Sequence, residues 1–361
     1  MEKYFFILGR NQVLSRIEIV SFLEARKIKF EELFFEDNYL VLNLEKDFGF
    51  NIEEFGGVLK FGKILFSGKN KEFIDYLSKG EIVPSDKFTF SVSGNLDLAE
   101  FLKDKFKGEK KKAMLKHGKG QIKFQDGEKI GFVNSEFNFF LKDFKGIIYF
   151  GLSTENYDSS EVERRDMGKP VRREALAISP RLSKILINLS GVKKGDLLLD
   201  PFCGVGGVLI EAILKGIRVY GVDKDGGAIS SARKNFEWVE KEYSPRIKYF
   251  LKNMDSGKIS GVDFDGVATE TPLGILLKKR VNDLEAKKII NKFESFIVII
   301  LSRLSQVKKK NARIAITFPV VGRNHVDVGK VCEKSGLEIV YGPIEEKRPD
   351  QFISRDILVF K

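Results

Sequence analysis

Histidine and cysteine are nearly missing from this chain, with two of each among 361 residues. So few soft ligands make neither a disulfide framework nor a zinc site, so no metal is expected and a reducing cytoplasm is the expected compartment. Long apolar runs are missing too. No stretch approaches the ~18 uninterrupted apolar residues of a membrane span. Tyr4-Phe5-Phe6-Ile7-Leu8 is too short for a secretory signal core and is followed by no small-residue cleavage site. No membrane partner is expected. What the chain does have is basic charge: 62 Lys and Arg against 51 acids, a formal net charge of +11. A solvated lysine-rich surface gives that balance, and so does a polyanionic partner such as nucleic acid.

Residues 1–78 read as a small α+β unit. A buried strand over 4–8 is followed by the turn Gly9-Arg10-Asn11. Ser15-x-x-Glu18 has the form of a capping box, opening a helix with Ile17, Ile19, Val20, Phe22 and Leu23 on its apolar side. Phe34 to Leu44 reads as a hairpin turning at Glu36-Asp37-Asn38, with a helix around Glu53 to Leu59 and a strand at Ile64-Leu65-Phe66. The β-α-β-β-α-β order predicts a ferredoxin-like domain.

A second unit is expected over 79–152. It has a strand at Phe88 to Ser93, an amphipathic helix Leu96 to Phe106, and strands at Lys129 to Val133 and Gly146 to Leu152. The helix runs into a lysine series from Lys103 to Lys123. Within it Lys110, Lys111, Lys112 and Lys116 are candidates for phosphate contact without base readout, with a solvated face as the alternative. Residues 153–174 are polar, and Gly168-Lys169-Pro170 should break any helix. This stretch reads as an interdomain linker whose Arg164, Arg165, Arg172 and Arg173 lie beside a nucleic-acid path.

From 175 to 361 helices and strands alternate: helix 180–189, strand 197–200, helix 206–214, strand 218–222, helix from 228, and strands near 247–251 and 266–269. A long helix over 285–304 and strands over 313–318 and 357–360 follow, the last expected to run antiparallel. This predicts an α/β, Rossmann-like doubly wound sheet with helices on both faces. Its first strand–loop–helix is Leu197 to Ala212, in which Asp200 precedes Pro201-Phe202-Cys203-Gly204-Val205-Gly206. A pyrophosphate-binding G-x-G-x-x-G is incomplete, because Leu209 stands at the third glycine, and no Walker lysine is present. An acid before the loop disfavours a phosphate and favours a cation. S-adenosylmethionine carries a sulfonium and an ammonium and no phosphate. Asp223 ends the second strand, where an acid binds a ribose diol, and Asp255 follows the third, placed for an adenine amino group. The fourth strand ends in Glu270-Thr271-Pro272-Leu273-Gly274. This resembles the (D/N)-P-P-(Y/F) motif of methyltransferases acting on exocyclic amines. In that motif the acid accepts amine hydrogens and the aromatic stacks on an exposed base.

With these motifs the whole chain resembles the THUMP-domain tRNA guanine-N2-methyltransferases of the archaeal kind that modifies position ten. The likeness rests on Leu8-Gly9-Arg10-Asn11 with Leu14-Ser15 and Glu18, Arg165-Asp166 with Lys169 to Arg173, Ile178 to Leu182 and Ile187 to Leu189, Leu199 to Ala212 and Ser354 to Val359. It implies that 79–152 is a THUMP domain, that 1–152 grips tRNA, and that 175–361 is a class I methyltransferase domain using S-adenosylmethionine. It leaves room for a small activating partner protein without indicating one. By motif matching, Asp200, Phe202, Gly204, Gly206, Asp223 and Asp255 would hold the cofactor, and Glu270, Pro272 and Leu273 fall on the catalytic motif. The chain departs from the family at Glu for Asp, Thr for the first proline, and Leu for the aromatic; Phe318 is a candidate replacement for that ring. Two further readings stand beside this one: a catalytically impaired tRNA-binding paralogue, and an amino-group methyltransferase acting on another RNA position.

Overall fold

The computed structural model describes residues 2–45, 49–95, 97–117, 120–123, 129–133, 135–153, 155, 157–172, 178–272, 277, 280–347 and 352–361. Leu96, Arg173, Leu273 and Gly274 lie outside the described residues.

β1 (Glu2–Leu8) leads into α1 (Gln12–Ala25). The cap of α1 is Asn11, whose side chain accepts from the Leu14 amide at 3.1 Å, so the helix begins a turn before the Ser15–Glu18 spacing suggested. Glu18 is not part of a capping box. It is wholly buried and accepts from the Gly56 and Gly57 amides at 2.8 and 2.7 Å and from Asn188 Nδ2 at 2.7 Å. Burial pushes its carboxyl above the ordinary range, and these hydrogen bonds pull the other way. β2 (Phe30–Glu36) and β3 (Tyr39–Leu44) form the expected hairpin, with Asp37 at a φ of 54°. In place of a helix over Glu53 to Leu59 there is one 3-10 turn, Ile52–Glu54, and then β4 (Val58–Gly68). Gly56 ends the turn where the chain presses against the neighbouring helix: a Cβ there would stand 1.9 Å from the Arg181 carbonyl oxygen.

After β4 come α2 (Asn70–Lys79), β5 (Lys87–Gly94), α3 (Asp97–Gly108), β6 (Lys112–Leu115), β7 (Gly120–Lys123), β8 (Lys129–Phe132), β9 (Phe137–Phe144) and β10 (Ile147–Ser153). The strand order β2-β3-β1-β4-β10-β9-β5-β6 makes one eight-stranded sheet, with β7 and β8 paired separately. The stretches 1–78 and 79–152 therefore share a sheet, joined where the far half of β4 pairs antiparallel with β10. The stretch expected as a linker holds α4 (Ser159–Gly168), capped by Asp158, whose carboxylate accepts from the Ser160 and Glu161 amides. The cap signal outweighs the polar composition, and the helix stops at Gly168 as Pro170 requires.

The rest of the chain builds the second sheet. α5 (Pro180–Leu189), β11 (Leu197–Asp200), α6 (Gly207–Leu214), β12 (Arg218–Asp223), α7 (Gly226–Tyr243), β13 (Tyr249–Asn253) and β14 (Gly266–Glu270) come first. They are followed by α8 (Asp283–Val307), β15 (Arg313–Val321), α9 (Val328–Ser335), β16 (Ile339–Glu346) and β17 (Ile353–Phe360). The order is β13-β12-β11-β14-β15-β17-β16, with β17 antiparallel to both its neighbours, as expected of the last segment. One core packs α5, α6 and α7 on one face, and a second packs α8 and α9 on the other. α1 docks on α5, with Leu14 entering the first core. Among the described residues no helix is long and apolar enough to cross a membrane, and no group of three His, Cys, Asp or Glu side chains could hold a metal ion.

Candidate active site

β11 lies at the switch point of its sheet, since the chain continues to β12 and β13 on one side and returns to β14 on the other. Such a point opens a crevice at the carboxyl ends of the strands. A cavity of about 220 Å³ lies there, and Asp200, Phe202, Gly204, Asp223, Asp255, Glu270 and Pro272 all line it. Gly206 stands behind the wall as the cap of α6, with a φ of 90°. A Cβ there would fall 2.8 Å from Phe236 Cε2, so the close packing of loop on helix needs glycine twice over.

The three acids have local bonds as well as a place in the wall. Asp200, 1% exposed, accepts from Thr269 Oγ1 at 2.5 Å and from the Phe202 amide at 3.1 Å. Burial, reinforced by the negative charges of Asp223 and Glu270, lifts its pKa to about 7. Asp223 accepts from the Gly204 amide at 2.9 Å and from the Asp225 amide at 2.9 Å, so the second strand's acid holds the first strand's loop. Asp255 accepts from the Gly257 amide at 2.8 Å and starts a 3-10 turn. Three carboxylates converge on one cavity with the apolar rings of Phe202 and Phe296, whose centroids are 5.6 Å apart. Leu209, at the place of a third glycine, is fully buried. A donor set of this kind suits a cationic ligand with a flat apolar part and disfavours a pyrophosphate. S-adenosylmethionine fits it.

At the end of β14, beside the Thr269 that donates to Asp200, Glu270 is ion-paired with Arg355 of β17, a partner that sequence reasoning missed. Thr271, where the family motif has its first proline, uses an amide that proline lacks: its N–H donates to Thr317 Oγ1 at 3.2 Å, and its hydroxyl donates to the Thr317 carbonyl at 2.6 Å. The end of β14 is thus stapled to β15 by a different device. Phe318 does not replace the missing ring. It is wholly buried against Phe293 and Phe360, at 5.5 and 6.0 Å, on the core face of β15. Beside Phe202, the aromatic that reaches the cavity among the described residues is Phe296 of α8, which the sequence places within the long helix but not in a wall. Lys169 also lines the cavity, with Nζ 3.3 Å from Asp166 Oδ1.

The basic candidates divide. Lys110, Lys112, Lys116 and Arg172 are exposed. Lys111 is not available for phosphate: its side chain, 4% exposed, is held by Glu81 at 2.5 Å and donates to the Val83 carbonyl. Arg165 is likewise withdrawn. It is buried between Glu211 at 3.1 Å, Glu161 at 3.5 Å and Glu53 at 3.5 Å, and ties α4 to both the N-terminal half and α6. Arg164 is half exposed and anchored on α7 by Tyr243 Oη at 3.2 Å and Glu242 at 3.7 Å. Helical spacing explains both, because α4 turns Arg165 inward and leaves its neighbour on the rim.

Comparison with known proteins bears on this site. Residues 169–286 match the UPF0020 family, described as RMKL-like, methyltransferase domain. A tRNA (guanine(10)-N2)-dimethyltransferase of Methanothermobacter thermautotrophicus is 42% identical over 86 residues, 24% of each chain. The protein of the same name from Pyrococcus abyssi is 28% identical over 204 residues, 55% of this chain and 51% of its own. The chain thus spans between a quarter and half of the length of these curated relatives. The crystal structure of TrmN from Thermus thermophilus superposes over 99% of both chains with a TM-score of 0.53 at 12% identity, a likeness of fold. The resemblance read from Leu199 to Ala212 and its flanking motifs is borne out by these similarities. Over residues 169–286 the chain is thus similar to an RMKL-like methyltransferase domain.

Proposed function

We propose that this protein is a tRNA methyltransferase that uses S-adenosylmethionine to methylate the exocyclic N2 amine of a guanosine, at position ten. The observation that carries the reading is that Glu270 and the acids Asp200, Asp223 and Asp255 border one cavity. An amine acceptor and a cradle for a cationic methyl donor therefore face the same space. The names of the relatives from Methanothermobacter thermautotrophicus and Pyrococcus abyssi supply the substrate and the position.

S-adenosylmethionine, when bound, supplies the methyl group on its sulfonium. Asp200 would meet its positive end, with Gly204 and Gly206 allowing close backbone approach. Asp223 would take the ribose, Asp255 the adenine amino group, and Phe202 a side of the ring. Glu270 accepts a hydrogen of the guanine amine, which draws the nitrogen lone pair out of conjugation and orients it. Pro272 shapes the wall beside the base. We assign 1–78 to an N-terminal ferredoxin-like unit and 79–152 to a THUMP unit, which together grip tRNA. Lys110, Lys112, Lys116 and Arg172 contribute phosphate contacts. The proposed tRNA substrate supports a cytoplasmic location.

The test is incubation of purified protein with unmodified tRNA and labelled cofactor, followed by mass spectrometry of the nucleosides and mapping of the modified position. Labelled N2-methylguanosine at position ten is expected, and its absence under conditions that bind both ligands overturns the proposal. The ion pair on Glu270 favours a second reading, in which the carboxylate is tied up and the chain binds tRNA without methylating it. The same assay separates the two.

A further inference from the structure

Glu270 carries one methylene more than the aspartate of the motif it resembles, and so one more rotatable bond to fix before it can present an oxygen to an amine. The second sheet supplies a group that fixes it. Glu270 lies opposite Thr317 of β15, and Thr317 lies opposite Ile357 of β17. Because β17 runs antiparallel, Arg355 stands two residues beyond that row, opposite Pro319, at the carboxyl edge where the cavity opens. Its side chain is 1% exposed and reaches across β15 to ion-pair through Nη2 with Glu270 Oε1.

The strand that carries Arg355 is itself held in place. Across β16–β17 the neighbour of Arg355 is Glu346. Glu346 is ion-paired with Arg10 and accepts from Asn11 Nδ2 at 2.8 Å, and Asn11 also donates to the Glu345 carbonyl at 3.1 Å. The turn between β1 and α1 thus clamps the edge strand that flanks β17. That frame fixes the backbone of β17 at Arg355, and the guanidinium itself, buried with no hydrogen-bond partner among the described residues, has the Glu270 carboxylate as its ion-pair partner.

We infer that Arg355 is a positioning residue for the proposed transfer, holding Glu270 in one conformer at the cavity wall so that its longer side chain does the work of an aspartate. This rests on Glu270 being the amine acceptor. A misplacement of ~1 Å at a reacting group costs up to ~100-fold in rate, while the acids that would hold the cofactor accept from Thr269 and from backbone amides, not from Arg355.

The experiment compares the full-length wild type with Arg355→Met and Arg355→Lys, measuring kcat and KM for tRNA, and cofactor affinity by titration. In R355M we expect kcat to fall by about 100-fold, with KM and cofactor affinity within about threefold of wild type. R355K keeps the cation but loses the fork, and should fall by about tenfold. Absence of methyl transfer by the wild type would overturn the activity reading and this inference with it. An active wild type with R355M at full kcat overturns the inference alone, as does a loss in R355M matched by equal losses in KM and cofactor affinity. Should R355M not fold, R355K decides: a tenfold drop in kcat at unchanged KM supports positioning, and a wild-type kcat rejects it.

Discussion

At the loop end of the cavity Asp200, Asp223 and Asp255 each accept from backbone amides of the loops they border: Phe202, Gly204 with Asp225, and Gly257. At the β14 end Glu270 is held by a side chain from β17, two strands along the sheet. The first arrangement is built mainly from backbone amides at strand ends and turns, with the Thr269 hydroxyl of β14 as a further donor to Asp200. The second depends on a side chain brought in by the final strand, so its geometry is set by tertiary packing. A change at the loop end should therefore act on cofactor affinity, and a change at the β14 end on turnover.

The largest separation should come from Glu270→Ala. Removing a group that acts on the reacting centre costs roughly 100- to 1,000-fold in kcat, and cofactor affinity should stay within about threefold. Steady-state methyl transfer and cofactor titration on the same preparation check this, and a parallel loss of both would erase the distinction between the two ends. Asp200→Asn is the reciprocal experiment. Loss of one interaction with a charged ligand group costs ~1.5–3 kcal/mol, or roughly 10- to 100-fold in affinity. The titration should register that loss at pH 8, with kcat at saturating cofactor changed less than affinity.

The same contrast explains what was legible in the sequence. Asp200, Gly204, Gly206, Asp223 and Asp255 follow from strand-loop-helix periodicity, since each sits a fixed short distance from an apolar run. Gly206 could be assigned a turn before its φ of 90° and its contact with Phe236 were known. The Glu270–Arg355 pair could not be found that way, because nothing local to either residue names the other. Glu18 and Arg165 failed for a related reason. Glu18 had the spacing of a cap and Arg165 the company of other arginines, yet each is buried against a different element, the Gly56-Gly57 turn in one case and Glu211 in the other. Local patterns place elements well; which charged side chain of a helix faces inward is decided by what packs on it. The sheet shared by 1–78 and 79–152 is also non-local, since β10 returns to pair with β4 only after five intervening strands.

A smaller effect follows from the buried state of Asp200. Its pKa is lifted from 3.8 to about 7, so in the absence of ligand it is largely protonated at pH 5 to 6. A cationic ligand prefers the ionised form, and one proton must leave when it binds at low pH. Cofactor affinity should rise by up to about tenfold per pH unit between pH 5 and 7 and level off above that. The rise should vanish in D200N. A flat profile in the wild type would mean that Asp200 does not meet the positive end of the ligand.

The smallest effect joins the two ends. Glu270 contributes to the lift on Asp200 through its negative charge, after burial and Asp223. Glu270→Gln removes that charge and keeps the shape, so Asp200 ionises more readily and the midpoint of the affinity profile should move to lower pH, by less than about one unit. Arg355→Met acts with the opposite sign, because it leaves the Glu270 charge uncompensated and should move the midpoint upward. Opposite shifts in E270Q and R355M, read from cofactor titrations at several pH values, would show that the two ends share one electrostatic field although they are built from different contacts. Shifts of the same sign would show that the mutations act by rearranging the wall, and the field between Asp200 and Glu270 would then play no part in binding.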